Sequence, residues 1–198
     1  MRIGEITHTT STSFVAESYE LHGPPALGSL VKVQVGQDSW VYAVVSYGET
    51  GAVEPGRRPV RWSTEEVYDE AIYQEHPELK RVLRTEFSAL LVGMGEGERA
   101  RQGLPPQPPP LHYTVHACTD QEVRRFTEGL YYLRLLLSGE GKVPKEQLLA
   151  AHLREAYRER GQDEEWLKRA AKEMASLLKH DYDRLMTVLL GIEPRDEG

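Results

Sequence analysis

The chain has 198 residues, 39% of them hydrophobic and 28% charged, so it is long enough and apolar enough to bury a core. Its formal net charge of −7 argues against a general affinity for nucleic acid or for an anionic membrane surface, because both require a basic field. The single cysteine permits no intrachain disulfide, and no stretch approaches the roughly 18 to 20 apolar residues of a membrane span, so we expect a cytoplasmic protein.

The first part of the sequence predicts strands. Two candidates, about 3–9 and 14–20, are separated by a hydroxyl-rich turn. From residue 30 a run of valines alternates with polar residues, which is the two-residue period of a strand with one buried face. Residues 36–39 then supply a glycine and self-capping polar side chains, and a second run occupies 40–47. This pattern predicts a β-hairpin at the centre of a small barrel or sandwich.

The second run of that hairpin is apolar on both faces, because only Ser46 interrupts it. A strand with one solvated face would alternate, so the outer face of this strand needs a cover. The cover is either another part of this chain or a protein partner. Trp40 and Tyr42 are therefore candidate partner-binding residues.

Residues 48–59 contain three glycines and two prolines and predict a long exposed connection. This connection carries Arg57 and Arg58, and Arg61 beside Trp62 follows it. Such a set can bind a phosphate backbone through charge and stacking, although in an acidic protein it is more often a solvated loop. We interpret these four side chains as further candidates for partner binding.

Two short helices are predicted inside the barrel sequence, over about 64–84. Ser63 or Thr64 is a good N-cap for the first, since acidic residues follow in the first turns, and Pro77 suits the start of the second. An apolar run of strand length follows at 87–94 and predicts a central strand of the same sheet.

A glycine- and proline-rich segment, about 95–110, follows this strand. Its proline run favours an extended polyproline II spacer over any packed element. A short strand at 112–117 is expected to return to the sheet and close the barrel.

Hydrophobic residues recur at helical intervals after residue 118. The first of four predicted helices has the spacing of a capping box and should run unbroken to Ser138. The four starts are marked by Thr119, Pro144, Asp163 and Asp181. The sequence therefore predicts an α+β chain with a β-barrel domain at 1–118 and an all-helical C-terminal domain at 119–198.

Short motifs in a fixed order suggest a family. They are Ile3-Gly4, Leu27-Gly28-Ser29-Leu30-Val31-Lys32-Val33, His76-Pro77-Glu78-Leu79, Arg84-Thr85-Glu86-Phe87-Ser88-Ala89-Leu90, Val92-Gly93 and the proline-rich run before His112. Across residues 1–118 this order resembles the HAS-barrel family, named for the barrel shared by the HerA DNA-translocating ATPases and the rotary ATP synthase subunits. The resemblance implies a non-catalytic barrel that helps to assemble ATPase subunits into rings.

An ATPase signature is not found beyond the barrel. The nearest sequence to a phosphate loop, Gly139-Glu140-Gly141-Lys142, lacks the leading glycine at the required spacing and is followed by Val143 instead of Ser or Thr. We therefore expect a stand-alone member of the family that binds no nucleotide and no other cofactor.

A metal site is the main alternative. His112, His116 and Cys118 would share one face of the predicted strand, and these residue types are zinc ligands, so the chain could be a small metal-binding protein or enzyme. Ligands on a single strand rarely surround an ion, however. A third hypothesis is an accessory factor that contacts nucleic acid.

The leading hypothesis is a non-enzymatic assembly or adaptor module. It binds protein partners or itself, does not contact a membrane, and reaches nucleic acid only indirectly. The family resemblance implies a link to an ATPase or DNA-processing complex.

Overall fold

The structure, a computed structural model, describes residues 1–54, 56, 59–97 and 99–192. These ranges contain seven strands and seven helices. The strands are β1 (Arg2–Thr9), β2 (Ser13–Ser18), β3 (Leu30–Gln34), β4 (Ser39–Ala52), β5 (Leu83–Glu96), β6 (Arg99–Gln102) and β7 (Thr114–Ala117). The helices are α1 (Glu70–Glu75), α2 (Leu79–Val82), α3 (Asp120–Phe126), α4 (Leu133–Ser138), α5 (Lys145–Glu159), α6 (Glu164–Leu177) and α7 (Tyr182–Ile192). The predicted α+β class is confirmed.

Six of the strands close an antiparallel barrel. β1 pairs with β2 and β7, β7 with β3, β3 with β4, and β4 with β5, which returns to β2. The remaining strand, β6, pairs with β5 and lies at the end of the strand order, outside the ring. The predicted hairpin is confirmed as β3 and β4, with Leu30 opposite Val44 and Gln34 opposite Trp40. The strand predicted after the prolines is also confirmed, because β7 closes the ring between β1 and β3.

Alternate residues of the strands fill the barrel interior, as the two-residue period requires. Phe14 and Phe87 meet edge to face there, with ring centroids 6.5 Å apart. The other large buried members of this interior cluster are Ile6, Val31, Val33, Val41, Val45, Leu91 and Val115. Burying each such side chain contributes about 1.5 to 3 kcal/mol of transfer free energy. The interior cluster therefore stabilises the barrel.

The outer face of β4 and β5 is covered by the chain's own helices. Tyr42 and Val44 of β4, with Leu90 and Val92 of β5, belong to a second buried cluster. Its helical members include Val123, Phe126, Leu133, Leu136, Leu149, Leu153, Trp166, Ala170, Met174 and Val188. The strand that is apolar on both faces therefore lies between two cores, and Ser46, the polar residue within it, donates a hydrogen bond to Ser88 O at 3.3 Å.

The two central strands are longer than predicted. β4 continues through Gly48 to Ala52, where it pairs with Leu83 at the start of β5. Residues 48–52 are therefore strand and not the predicted connection, although Gly48, Glu49 and Thr50 are exposed as predicted. Glycines within a strand are tolerated when a partner strand supplies the ladder, and β5 pairs with β4 along this whole arm.

The first inserted helix begins later than predicted. Thr64 does accept a hydrogen bond from the Val67 amide, at 3.0 Å, but this caps only a local turn. Asp69 then adopts a left-handed φ of 52°, so a helix cannot run through this residue and α1 begins after it. The second inserted helix is confirmed as α2, although only Leu79 of its apolar residues is buried and Val82 is 47% exposed.

The glycine- and proline-rich segment begins as strand and is partly buried beyond it. β5 extends through Gly95 to Glu96, and β6 returns antiparallel beside it. Pro105 and Pro109 are buried. A proline has no amide proton to satisfy, so such a segment can lie against the barrel without leaving unpaired donors. The prediction of an extended spacer was therefore wrong for residues 95–96 and 99–102, which are strand, whereas most of residues 104–110 form no regular element and are exposed.

The single helix predicted after Thr119 is two helices. The capping box of Thr119 with Glu122 is confirmed, but α3 ends at Phe126. The side-chain amide of Gln102 donates to Phe126 O and to Gly129 O, both at 2.7 Å, and so satisfies carbonyls that a continuous helix would have used. In the described ranges, no helix combines the length and the apolarity needed to cross a membrane.

Candidate functional site

The three side chains weighed as zinc ligands have separate surroundings. Nδ1 of His112 lies 2.8 Å from Oε1 of Glu5, whereas the ring of His116 packs edge-on against Trp40, with centroids 5.8 Å apart. Cys118 is half-buried against apolar side chains, and the desolvation of its thiol raises the pKa of that group. A protonated thiol is a poor metal ligand. Among the described residues, no three His, Cys, Asp or Glu side chains form a group able to hold a metal ion.

Trp40 is half-buried at the start of β4. Lys32 Nζ lies 4.0 Å from the centroid of its ring, and the same ammonium pairs with the carboxylate of Glu122. This cation–π contact and the edge of the His116 ring fix the orientation of the indole. Trp40 is therefore held rigidly, and its remaining surface borders a groove at this end of the barrel.

Tyr42 lies in the protein's own core and not on a surface open to a partner. It is 7% exposed, and its ring stacks at a tilt against Phe126 of α3, with centroids 4.8 Å apart. Burial raises the pKa of its hydroxyl to about 12. The Tyr42 ring fits because Gly95 lies beside it, where a Cβ would lie 2.9 Å from Tyr42 Cε2, and Gly93 leaves the room for the Phe126 ring. The interface role expected for Tyr42 is corrected by this placement.

Trp62 is the member of the arginine-rich set that forms a surface feature. Its ring packs against His76, with centroids 4.7 Å apart, and it remains 40% exposed. Arg61 beside it is exposed, whereas Arg57 and Arg58 lie outside the described residues. The structure therefore places two of these four candidates at one surface.

That surface is an apolar patch at the far end of the β4–β5 arm, where the chain leaves the barrel between Ala52 and Leu83. Val60 is 70% exposed and Val82 47% exposed. We call this surface the distal patch, and it is formed by Pro59, Val60, Trp62, Ile72, Tyr73 and Val82 around a cavity of about 280 Å³. An exposed apolar cluster of this kind is typical of a protein interaction site.

The segment that forms the distal patch is acidic, and we call its exposed carboxylates the acidic rim. Six carboxylates between residues 59 and 83 are exposed, against three basic side chains. The acidic residues are Glu65, Glu66, Asp69, Glu70, Glu75 and Glu78, and the basic ones are Arg61, Lys80 and Arg81. The rim thus favours a basic surface opposite it and disfavours a second copy of the same acidic rim.

A cleft of about 440 Å³ beside the N-terminus is lined by Glu159, a carboxyl group whose pKa is raised. Burial, the neighbouring Glu155 and Asp120 raise the pKa of Glu159 to about 7. Cys118 lines the same cleft, and the raised pKa of its thiol disfavours the nucleophilic thiolate.

Sequence reasoning found Trp62 and missed the rest of the distal patch. Val60 and Tyr73 carried no signal beyond being apolar residues in a polar segment. No protein-family model matches the chain, and no curated protein matches it either.

Proposed function

We propose that the protein is a non-enzymatic adaptor that binds a protein partner through the distal patch. The exposed apolar cluster around Trp62 carries this proposal. An exposed aromatic residue within an apolar surface, which the partner buries on binding, is the usual anchor of a protein interface. The acidic rim supplies specificity for a partner with a basic surface.

The resemblance to the HAS-barrel family supports the same role, because it implies a barrel that assembles other subunits. We propose the division into a barrel domain at 1–118 and a helical domain at 119–198 on the same basis. The partner that the resemblance favours is a subunit of an ATPase or DNA-processing complex, and the acidic rim favours a partner different from this chain.

Replacing Trp62 with Ala should weaken partner binding by about 1 to 3 kcal/mol, the range for an interface aromatic. The partner is first identified by co-purification with the tagged chain, and its affinity for purified wild type and Trp62→Ala is then measured by calorimetry. Binding should also weaken as salt rises, because the acidic rim attracts a basic surface.

Tyr131→Ala is the matched control, since Tyr131 is an aromatic side chain that is 63% exposed on a different part of the molecule. Its affinity for the partner should equal that of wild type. Equal affinities for Trp62→Ala and Tyr131→Ala would refute the distal patch as the binding site. Self-association that depends on Trp62, seen by analytical ultracentrifugation, would instead show that the partner is a second copy and that the argument from the acidic rim is wrong.

A further inference from the structure

β6 offers a free strand edge at the opposite end of the β4–β5 arm. The amide of Gly103 donates to Val92 O at 3.0 Å, and the ladder pairs Arg101 with Met94. In an antiparallel pair, successive residues point their backbone groups alternately toward and away from the partner strand. The backbone groups of Ala100 and Gln102 therefore face away from β5, toward the open edge of the sheet.

A groove lies along this edge, and we call it the end groove. It has a volume of about 820 Å³. Its walls include Val35, Trp40, Met94, Arg99, Arg101 and the prolines of segment 105–110. An extended peptide added to β6 would run beside these apolar side chains, which is the usual arrangement when a sheet binds a strand from another protein.

Two arginines give this edge a definite charge preference. Arg99 and Arg101 are two residues apart on β6, so they project from the same face, and both are exposed. Neither guanidinium has an ion pair with any of the described residues. Glu96 is the acidic residue that lines the groove. Two copies joined through β6 would bring these arginines together, which disfavours self-pairing.

We propose that the β6 edge binds an extended acidic segment of another protein as an added strand. The segment accepts and donates hydrogen bonds at Ala100 and Gln102, places carboxylates two residues apart opposite Arg99 and Arg101, and packs an apolar side chain in the end groove. This site is separate from the distal patch, and the proposal does not depend on the function assigned to that patch.

The test uses fluorescently labelled twelve-residue peptides of threonine and valine that carry two glutamates. In one series the two glutamates are at positions i and i+2, and in a second series they are at i and i+1. Within the first series one leucine is placed at successive positions along the peptide, as the apolar side chain that packs in the end groove. Anisotropy titrations should show the i,i+2 series binding about tenfold more tightly, since only that spacing brings both carboxylates to the arginine face. N-methylation of the residues that alternate with the two glutamates should abolish binding, because in an antiparallel added strand the amides of these residues face β6 and donate to it.

Protein variants test the same contacts. Ala100→Pro removes an outward amide that plays no part in the β5–β6 ladder, and prolines are tolerated at such edge positions, so it should lose peptide binding with an unchanged thermal unfolding midpoint. Arg99→Glu with Arg101→Glu should transfer the preference to the matching lysine peptide, whereas Lys179→Glu, an exposed charge reversal elsewhere, should change neither affinity.

Binding of the N-methylated peptide with equal affinity, or no preference between the two glutamate spacings, would overturn the proposal. So would an absence of binding by the whole panel. If Ala100→Pro fails to fold, the N-methylated peptide still decides the question, because it removes the complementary hydrogen bonds, those that the peptide donates to β6, without altering the protein.

Discussion

Replacing Tyr42 with Ala should lower the free energy of unfolding by about 3 to 5 kcal/mol, the cost of deleting an aromatic side chain from a packed interior. The ring is enclosed by Phe126 of α3 and by the backbone of Gly93 and Gly95, which cannot move to fill the space without breaking the β4–β5 ladder. Chemical denaturation of the two proteins measures the difference directly.

Tyr42→Phe is the control, because it keeps the ring and removes a hydroxyl with no hydrogen bond to any of the described residues. Its unfolding free energy should stay within about 1 kcal/mol of wild type. Partner binding through the distal patch should be unchanged in folded Tyr42→Ala, since that patch is at the other end of the arm. A Tyr42→Ala protein of wild-type stability that has lost its partner would assign this residue to an interface after all.

Local patterns predicted those parts of the fold in which neighbouring residues determine the backbone. The β3–β4 hairpin follows from an alternating run, a polar turn and an apolar run, all within 18 residues of sequence from Leu30 to Tyr47. The capping box at Thr119 and the cap at Asp163 were predicted for the same reason, because each bond joins residues three apart. Such signals need no knowledge of the rest of the chain.

Long-range contacts decided what the sequence could not predict. The break between α3 and α4 depends on Gln102, which bonds to Gly129 across 27 positions of sequence. The extension of β4 through Gly48 depends on pairing with β5, and the cover over Tyr42 depends on helices that begin some 80 residues later. The apolar run did predict that a cover exists, but not that the same chain supplies it.

The candidate sites show the same division. Trp62 and Trp40 stood out by residue type, and the structure places each beside a surface cavity. Val60 and Val82 come together with Trp62 only because β4 and β5 bring their ends together at Ala52 and Leu83. The free edge of β6 had no sequence signal, because this segment read as part of a spacer.

A histidine sealed between the barrel and the helices gives the second large effect. His152 of α5 is fully buried, and its Nδ1 donates to Gly28 O at 2.6 Å while its Nε2 accepts from the Tyr132 hydroxyl at 2.7 Å. Both nitrogens are thus used by the neutral ring. Burial lowers the pKa of His152 to about 4, whereas an unfolded chain would hold it near 6.5.

As the pH falls, His152 should therefore be protonated in the unfolded chain at a higher pH than in the folded chain. Between about pH 6.5 and pH 4 the unfolded histidine is protonated and the folded one is not, so the stabilisation present above pH 6.5 is lost as the pH falls through this window. From pH 7 to pH 5 the loss from His152 amounts to about 2 kcal/mol of unfolding free energy.

Glu159 titrates in the same window with the opposite sign. Its folded pKa is raised to about 7, so it stabilises the folded state at low pH and loses that effect as the pH rises. The two groups should largely compensate one another in the wild type, which should therefore lose less stability between pH 7 and pH 5 than Glu159→Gln does. In Glu159→Gln the loss from His152 should appear together with that from His116, whose pKa is also lowered by burial.

Urea unfolding of Glu159→Gln at pH 7 and pH 5 measures that loss. The control adds Tyr132→Phe and His152→Asn to Glu159→Gln. The asparagine removes the titrating ring but keeps a donor toward Gly28 O, and the phenylalanine removes the hydroxyl that would otherwise be left without a hydrogen bond. The control should be less stable than Glu159→Gln at both pH values, and it should lose less stability between pH 7 and pH 5. The loss that remains comes from His116, whose pKa burial also lowers, because carboxyl groups with lowered pKa lose their protons below this window. A Glu159→Gln protein with the same stability at pH 7 and pH 5 would show that His152 is reached by water and titrates normally in the folded state.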